Sequence, residues 1–130
     1  MEKQIEACKF GSRIHDISRA VSGVINKKYG IVTDYCGHGV GLAVHEDPAV
    51  PNDLVGGSNP RLQEGMVLAI EPMITLGKRN ILIENDGWTA RTIDRKPAAH
   101  YELSVCVRNG KADILSTFDY IQEVLGDKFI

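Results

Sequence analysis

Gly37-His38-Gly39-Val40-Gly41, with His45-Glu46-Asp47-Pro48 close behind, is the stretch on which the reading of this chain turns. A histidine between glycines stands where backbone can come close to a ligand, because glycine has no Cβ to hold it away. Two carboxylates further on interrupt apolar runs: Glu71 within Gly65–Leu76 and Glu102 within Tyr101–Val107. In a strand, alternate residues share a face. Glu71 then lies with Val67 and Ala69, and Glu102 with Ser104 and Cys106, opposite Tyr101, Leu103 and Val105. A carboxylate in such surroundings is costly to bury unless it is paired or meets a cation. One such glutamate is explained equally well by an ion pair. Two of them with a glycine-flanked histidine point to a metal site or an acid–base pair. Each residue also has a plainer reading: His38 as a turn histidine, His45 as a surface histidine, Glu71 and Glu102 as structural ion pairs. On pattern alone, His38 and His45 stay apart, since in one extended strand they would face opposite ways.

Around these motifs the chain reads as a single domain. Its 130 residues suffice to bury roughly two-thirds of the unfolded surface. Composition is that of a globular protein, 43% apolar and 25% charged. A net charge of −2 carries no nucleic-acid or membrane signature. No apolar run approaches a membrane span, and Met1–Glu6 is too polar for a signal peptide. Cys8, Cys36 and Cys106 are odd in number and lack CxxC spacing, which favours reduced thiols in a cytoplasmic protein. Cys8 and Cys106 fit as small packing residues.

Working outward, residues 1–9 form the end of a helix that stops by Gly11. Ser12 caps a second helix on which Ile14, Ile17, Val21, Val24 and Ile25 recur at helical spacing, and Gly30 ends it. Val40–Val44 reads as a short strand. Pro51–Pro60 reads as a loop. Gly65–Leu76 reads as a long strand broken at Pro72. Arg79–Glu84 and Trp88–Ile93 flank Asn85-Asp86-Gly87 as a hairpin. Asn109-Gly110 joins Tyr101–Arg108 to Ala112–Leu115 as another. Phe118–Leu125 is a short closing helix. Helices with mostly antiparallel strands make the class α+β.

The stretches Tyr35–Gly41, His45–Pro48, Gly65-Met66 with Ile70–Met73, Asp86–Thr89 and Tyr101-Glu102 together resemble the type I methionine aminopeptidases, which are pita-bread metallopeptidases. The resemblance runs from about residue 2 to 116. Prolidases and aminopeptidases P share the GHGxG and His-Glu pattern, but the Asp-Gly-Trp hairpin and the Tyr-Glu strand favour the methionine enzymes. The resemblance implies that residues 1–130 are the C-terminal half of the catalytic domain, half of the pita-bread (creatinase/methionine aminopeptidase) fold. It implies hydrolysis at a dinuclear metal centre that removes N-terminal methionine from new polypeptides. His38, Glu71 and Glu102 would be metal ligands, with Glu102 bridging two ions of Co, Mn, Fe or Zn. His45 would be catalytic, hydrogen-bonding the scissile amide or the tetrahedral intermediate. Trp88 would line the methionine side-chain pocket, where plain core is its rival reading, and Cys36 would sit near the site. His15 and His100 are read as non-catalytic.

The family's two aspartate ligands, and a further substrate-contacting histidine, lie on segments that would precede Met1. Residues 1–130 alone are therefore expected to be inactive and to hold at most one metal ion, weakly. Val44 and Leu103 also depart from the family's usual residues. Peptides with N-terminal methionine are the expected partners of the full enzyme, with no nucleic acid and no membrane. A homodimer of the half fold across an uncovered apolar face is a further expectation. The alternatives weighed beside this reading are a prolidase or aminopeptidase P-like exopeptidase and a non-catalytic binding module on the half fold.

Overall fold

Two short helices open the chain, α1 (Glu2–Ala7) and α2 (Ile14–Ser22). Gly11 turns between them at φ +85°, a left-handed conformation that favours glycine. The computed structural model describes residues 1–25, 29–54 and 56–128. Ten short strands follow among these residues: β1 (Gly30–Ile31), β2 (Gly37–Gly39), β3 (Glu46–Val50), β4 (Val67–Ile70), β5 (Met73–Thr75), β6 (Ile81–Ile83), β7 (Ala90–Thr92), β8 (Ala98–His100), β9 (Leu103–Cys106) and β10 (Asp113–Ile114). A last helix, α3 (Asp119–Leu125), runs into a 3-10 turn and buries none of its residues.

The strands form three antiparallel sheets. The largest has the order β10-β9-β4-β2-β3, a second the order β1-β5-β8, and β6 pairs with β7 alone. With the helices this makes an α+β fold. Leu68, Ile70, Leu103 and Val105 point from the large sheet into a core shared with Ile5, Ile14 and Ile17 from the helices. The opposite face carries His38, Ala69 and Ser104, which stand in register across β2, β4 and β9.

Several boundaries differ from the sequence reading. Arg13, not Ser12, occupies the cap of α2, because its amide donates to the Asp16 carboxylate at 2.8 Å. The Ser12 carbonyl instead accepts the Leu62 amide at 2.8 Å. The second helix stops at Ser22 rather than near Gly30. The amides of Val24 and Ile25 both fold back on the Val21 carbonyl, and Val24 is 60% exposed. Gly23 follows the last helical residue, where glycine's weak helix propensity favours a stop. The rest of that expected helix lies outside the described residues. Gly30 begins a strand, and a Cβ there would stand 2.5 Å from Thr75 Oγ1.

Val40–Val44 is not a strand. Residues 40–45 are a loop between β2 and β3, drawn tight by the Gly41 amide on the Ala43 carbonyl and by the Ala43 amide on Glu46 Oε1 at 2.7 Å. The long apolar strand does break at Pro72, which has no N–H for a ladder. Its two parts, β4 and β5, belong to different sheets. Their partners divide in the same way: β9 pairs with β4, and β8 with β5. The chain therefore changes sheet at Glu71-Pro72 and again at Tyr101-Glu102. The expected hairpins at Asn85–Gly87 and Asn109-Gly110 both form, with Gly87 at φ +70° and Gly110 at φ +87°.

Candidate metal centre

The two changes of sheet place the carboxylates. Ile70 stands opposite Leu103, and Met73 stands opposite His100. The same register carried through the gap sets Glu71 opposite Glu102. Like charges directly across a ladder repel, so this pairing asks for a cation between them. Burial and the neighbouring Glu102 charge push the Glu71 carboxyl above its ordinary pKa, with His100 and His38 pulling the other way.

His38 comes from the adjacent strand. Its neighbours are glycines because other strands crowd them. A Cβ on Gly37 would stand 2.3 Å from the Ala69 carbonyl oxygen, and one on Gly39 would stand 2.2 Å from the Asp47 carbonyl oxygen. The sequence reading attributed these glycines to the approach of a ligand; they serve the approach of β3 and β4. His38 Nδ1 lies 2.8 Å from the Gly39 carbonyl oxygen, which can only accept, so Nδ1 carries hydrogen. In the neutral ring, Nε2 then carries a lone pair, and it lies 3.4 Å from Glu71 Oε1. The two side chains are 14% and 12% exposed. His38, Glu71 and Glu102 each offer one ligand atom, and these atoms lie within 4.8 Å of one another. One imidazole nitrogen with two carboxylates suits a divalent transition metal.

The loop at residues 40–45 returns the chain on itself and brings His45 beside His38. Their ring centroids are 4.2 Å apart, with the planes tilted by 52°. The opposite-facing arrangement expected of one extended strand does not occur, because β2 and β3 are separate, antiparallel strands. Cys36, His38, His45, Glu71, Trp88 and His100 help to line one open cavity of about 740 Å³. Glu102 approaches the cluster from an exposed position before β9.

Trp88 is 89% exposed at the tip of the β6–β7 hairpin, so it is not core. Asp86 holds that tip. Its Oδ1 accepts the amides of Trp88 and Thr89 at 3.0 and 2.9 Å, and its Oδ2 accepts the Thr89 hydroxyl at 2.6 Å. Val44 is exposed in the loop, and Leu103 is buried in the core. His15 stays on α2, its amide bonded to Asn59 Oδ1 at 2.9 Å. His100, read from sequence as non-catalytic, has its Nε2 3.1 Å from Glu71 Oε2. The signal that finds it is register: His100 precedes Glu102 by two residues and faces Met73, two residues past Glu71.

The sequence profile of metallopeptidase family M24 matches residues 1–109. The methionine aminopeptidase of Treponema pallidum is 47% identical over 114 residues, which cover 86% of this chain and 45% of the relative. The crystal structure of a methionine aminopeptidase from Thermotoga maritima superposes with a TM-score of 0.78 at 40% identity, covering 88% of this chain and 46% of that one. A prolidase from Pyrococcus furiosus shares the fold, with a TM-score of 0.60 at 24% identity over 89% of this chain and 29% of its own. The chain spans about half the length of the curated relatives it matches.

Proposed function

The chain belongs to metallopeptidase family M24, and on that premise we propose that residues 1–130 are the C-terminal half of a methionine aminopeptidase catalytic domain. The substrate of the whole enzyme is a peptide with N-terminal methionine. The reaction is hydrolysis of the first peptide bond at a centre of two divalent ions drawn from Co, Mn, Fe and Zn. The observation that carries this reading is the convergence of His38, Glu71 and Glu102 within 4.8 Å, on the sheet face turned away from the core.

His38 Nε2 and the carboxylates of Glu71 and Glu102 would hold a divalent metal. The metal supplies Lewis acidity toward a peptide carbonyl and toward water. His45, beside His38, donates a hydrogen bond to the scissile amide or to the oxygen that gains charge as the bond breaks. Trp88 gives the methionine side chain an apolar wall, and Cys36 lies near that wall. The 47% and 40% identities to methionine enzymes, against 24% to a prolidase, favour methionine over Xaa-Pro substrates. Three free cysteines support a reducing, cytoplasmic setting. Among the described residues no helix is long and apolar enough to cross a membrane, and we assign no membrane or nucleic acid to the reaction. Self-association of the half fold belongs to the same proposal and is read by sedimentation across a wide concentration range.

The test joins residues 1–130 to the N-terminal half of the Treponema pallidum enzyme. With Co or Mn, the fusion releases methionine from a Met-Ala-Ser peptide, and His38→Ala abolishes release. The 130 residues alone are slower by several orders of magnitude, as is usual when groups that act as a unit are divided. They bind at most one ion, weakly, and Glu102→Gln weakens that binding further. A fusion that folds yet cleaves only Xaa-Pro substrates, or robust methionine release by the 130 residues alone, overturns the proposal.

A further inference from the structure

Two imidazoles touch the Glu71 carboxylate, one at each oxygen. His38 commits its Nδ1 hydrogen to the Gly39 carbonyl at 2.8 Å and sets its Nε2 3.4 Å from Glu71 Oε1. His100 Nε2 lies 3.1 Å from the other oxygen, Oε2. An ionised carboxylate only accepts, so His100 Nε2 must carry hydrogen there. One oxygen of Glu71 is thus tied by an N–H, while the other faces His38 Nε2.

We infer that His100 is a positioning residue, which pins Glu71 Oε2 so that Oε1 stays aimed at His38 Nε2. The inference rests on the metal reading proposed above. Carboxylates that ligate metals are commonly oriented by a hydrogen bond to a second group, and losing that group costs affinity. His100 is placed to give such support. It sits at the end of β8, in the sheet that also holds β5 directly after Glu71-Pro72. It is not itself a ligand in this arrangement, because its Nε2, the nitrogen that meets Glu71, bears the hydrogen that binds Oε2. Its side chain is 48% exposed, so replacing it leaves the core untouched.

Zinc titration of the 130-residue chain tests this by calorimetry and by 15N spectra of the histidine rings, with amide spectra confirming the fold of each variant. His100→Leu removes the N–H and lowers zinc affinity about tenfold or more. His100→Gln keeps an N–H that reaches the same oxygen and recovers most of that loss. Zinc shifts the His38 Nε2 signal and leaves the His100 Nε2–H in place. Unchanged affinity in His100→Leu overturns the inference, as does His100→Gln binding as weakly as His100→Leu. A His100 nitrogen that shifts with zinc as His38 does makes it a ligand and also overturns the inference. A wild-type chain that binds no zinc overturns the metal reading itself, and this assignment with it.

Discussion

The two faces of the five-stranded sheet are built from the same strands and do opposite work. Leu68, Ile70, Leu103 and Val105 interlock with Ile5, Ile14 and Ile17 from the helices, and none of them offers a polar side-chain atom. One residue over in each strand, Ala69 and Ser104 line up with His38, and the next position beyond the strand ends carries Glu71 and Glu102. The core face is satisfied by its own packing. The other face holds two opposed carboxylates, whose mutual repulsion a cation would relieve, with the His38 imidazole beside them. Stability and chemistry are thus separated by the period of two, and a substitution should disturb one while sparing the other.

The largest stability effect belongs to the core face. Leu68→Ala removes a fully buried side chain and should lower unfolding free energy by about 2–5 kcal/mol in denaturant titration. A loss as small as that of an exposed site would show that this face is not the core.

Gly39→Ala comes next and strikes both faces at once. The added methyl meets the Asp47 carbonyl oxygen at 2.2 Å, and backbone must move to admit it. Overpacking of this kind costs about 1–3 kcal/mol, and the shift displaces His38, so zinc affinity falls as well. If stability and zinc binding both match wild type, the tight approach of β2 and β3 is wrong.

Glu71→Gln should separate the faces most sharply. Burial and the Glu102 charge raise the Glu71 pKa in the fold. The stability contributed by its protonated form is then full below the unfolded carboxyl pKa and is lost as pH rises through the folded value. At neutral pH the ionised carboxylate works against folding in the metal-free chain. The glutamine variant should therefore melt no lower than wild type at pH 7, with the gap closing toward pH 4, while its zinc affinity drops. Melting well below wild type at pH 7 would mean that the attraction of His100 and His38 outweighs burial and repulsion.

One face was legible in the sequence where Leu103 and Val105 alternate with Glu102 and Ser104; in the all-apolar run Val67–Ile70 only the placing of Glu71 with Val67 and Ala69 marked the two sides. The Pro72 break and the Asp86-Gly87 turn were legible too, since each rests on one residue's backbone chemistry. The site was legible only in part. The glycine-flanked His38, the apolar runs around Glu71 and Glu102 and the family resemblance marked these three as candidates, but their convergence depends on two register-matched changes of sheet. His45 was unreadable as a neighbour of His38, because the loop between them is tied by Glu46 to the Ala43 amide, a contact no period announces. The contact of His100 with Glu71 could not be read because the two lie 29 residues apart along the chain. The end of α2 at Ser22 was missed because Val24 and Ile25 extend the apolar pattern past the last helical turn.

The smallest effect leaves stability at neutral pH untouched and reads the two faces through their thiols. Cys8 is fully buried in the core cluster, and burial pushes its pKa up to about 12 from an ordinary 9.0. At pH 8 its thiolate fraction is then about a thousandfold below that of an ordinary cysteine, before access is counted. Cys36 is partly exposed on the cavity wall. Iodoacetamide at pH 8 should alkylate Cys36 while Cys8 and the buried Cys106 wait for unfolding, as mass spectrometry of timed samples would record. The neutral Cys8 thiol also contributes stability that is full below pH 9 and fades as pH rises toward 12. Alkylation of Cys8 in the native chain at the rate of Cys36 would place that thiol outside the core and remove one wall of the face that α1 and α2 cover.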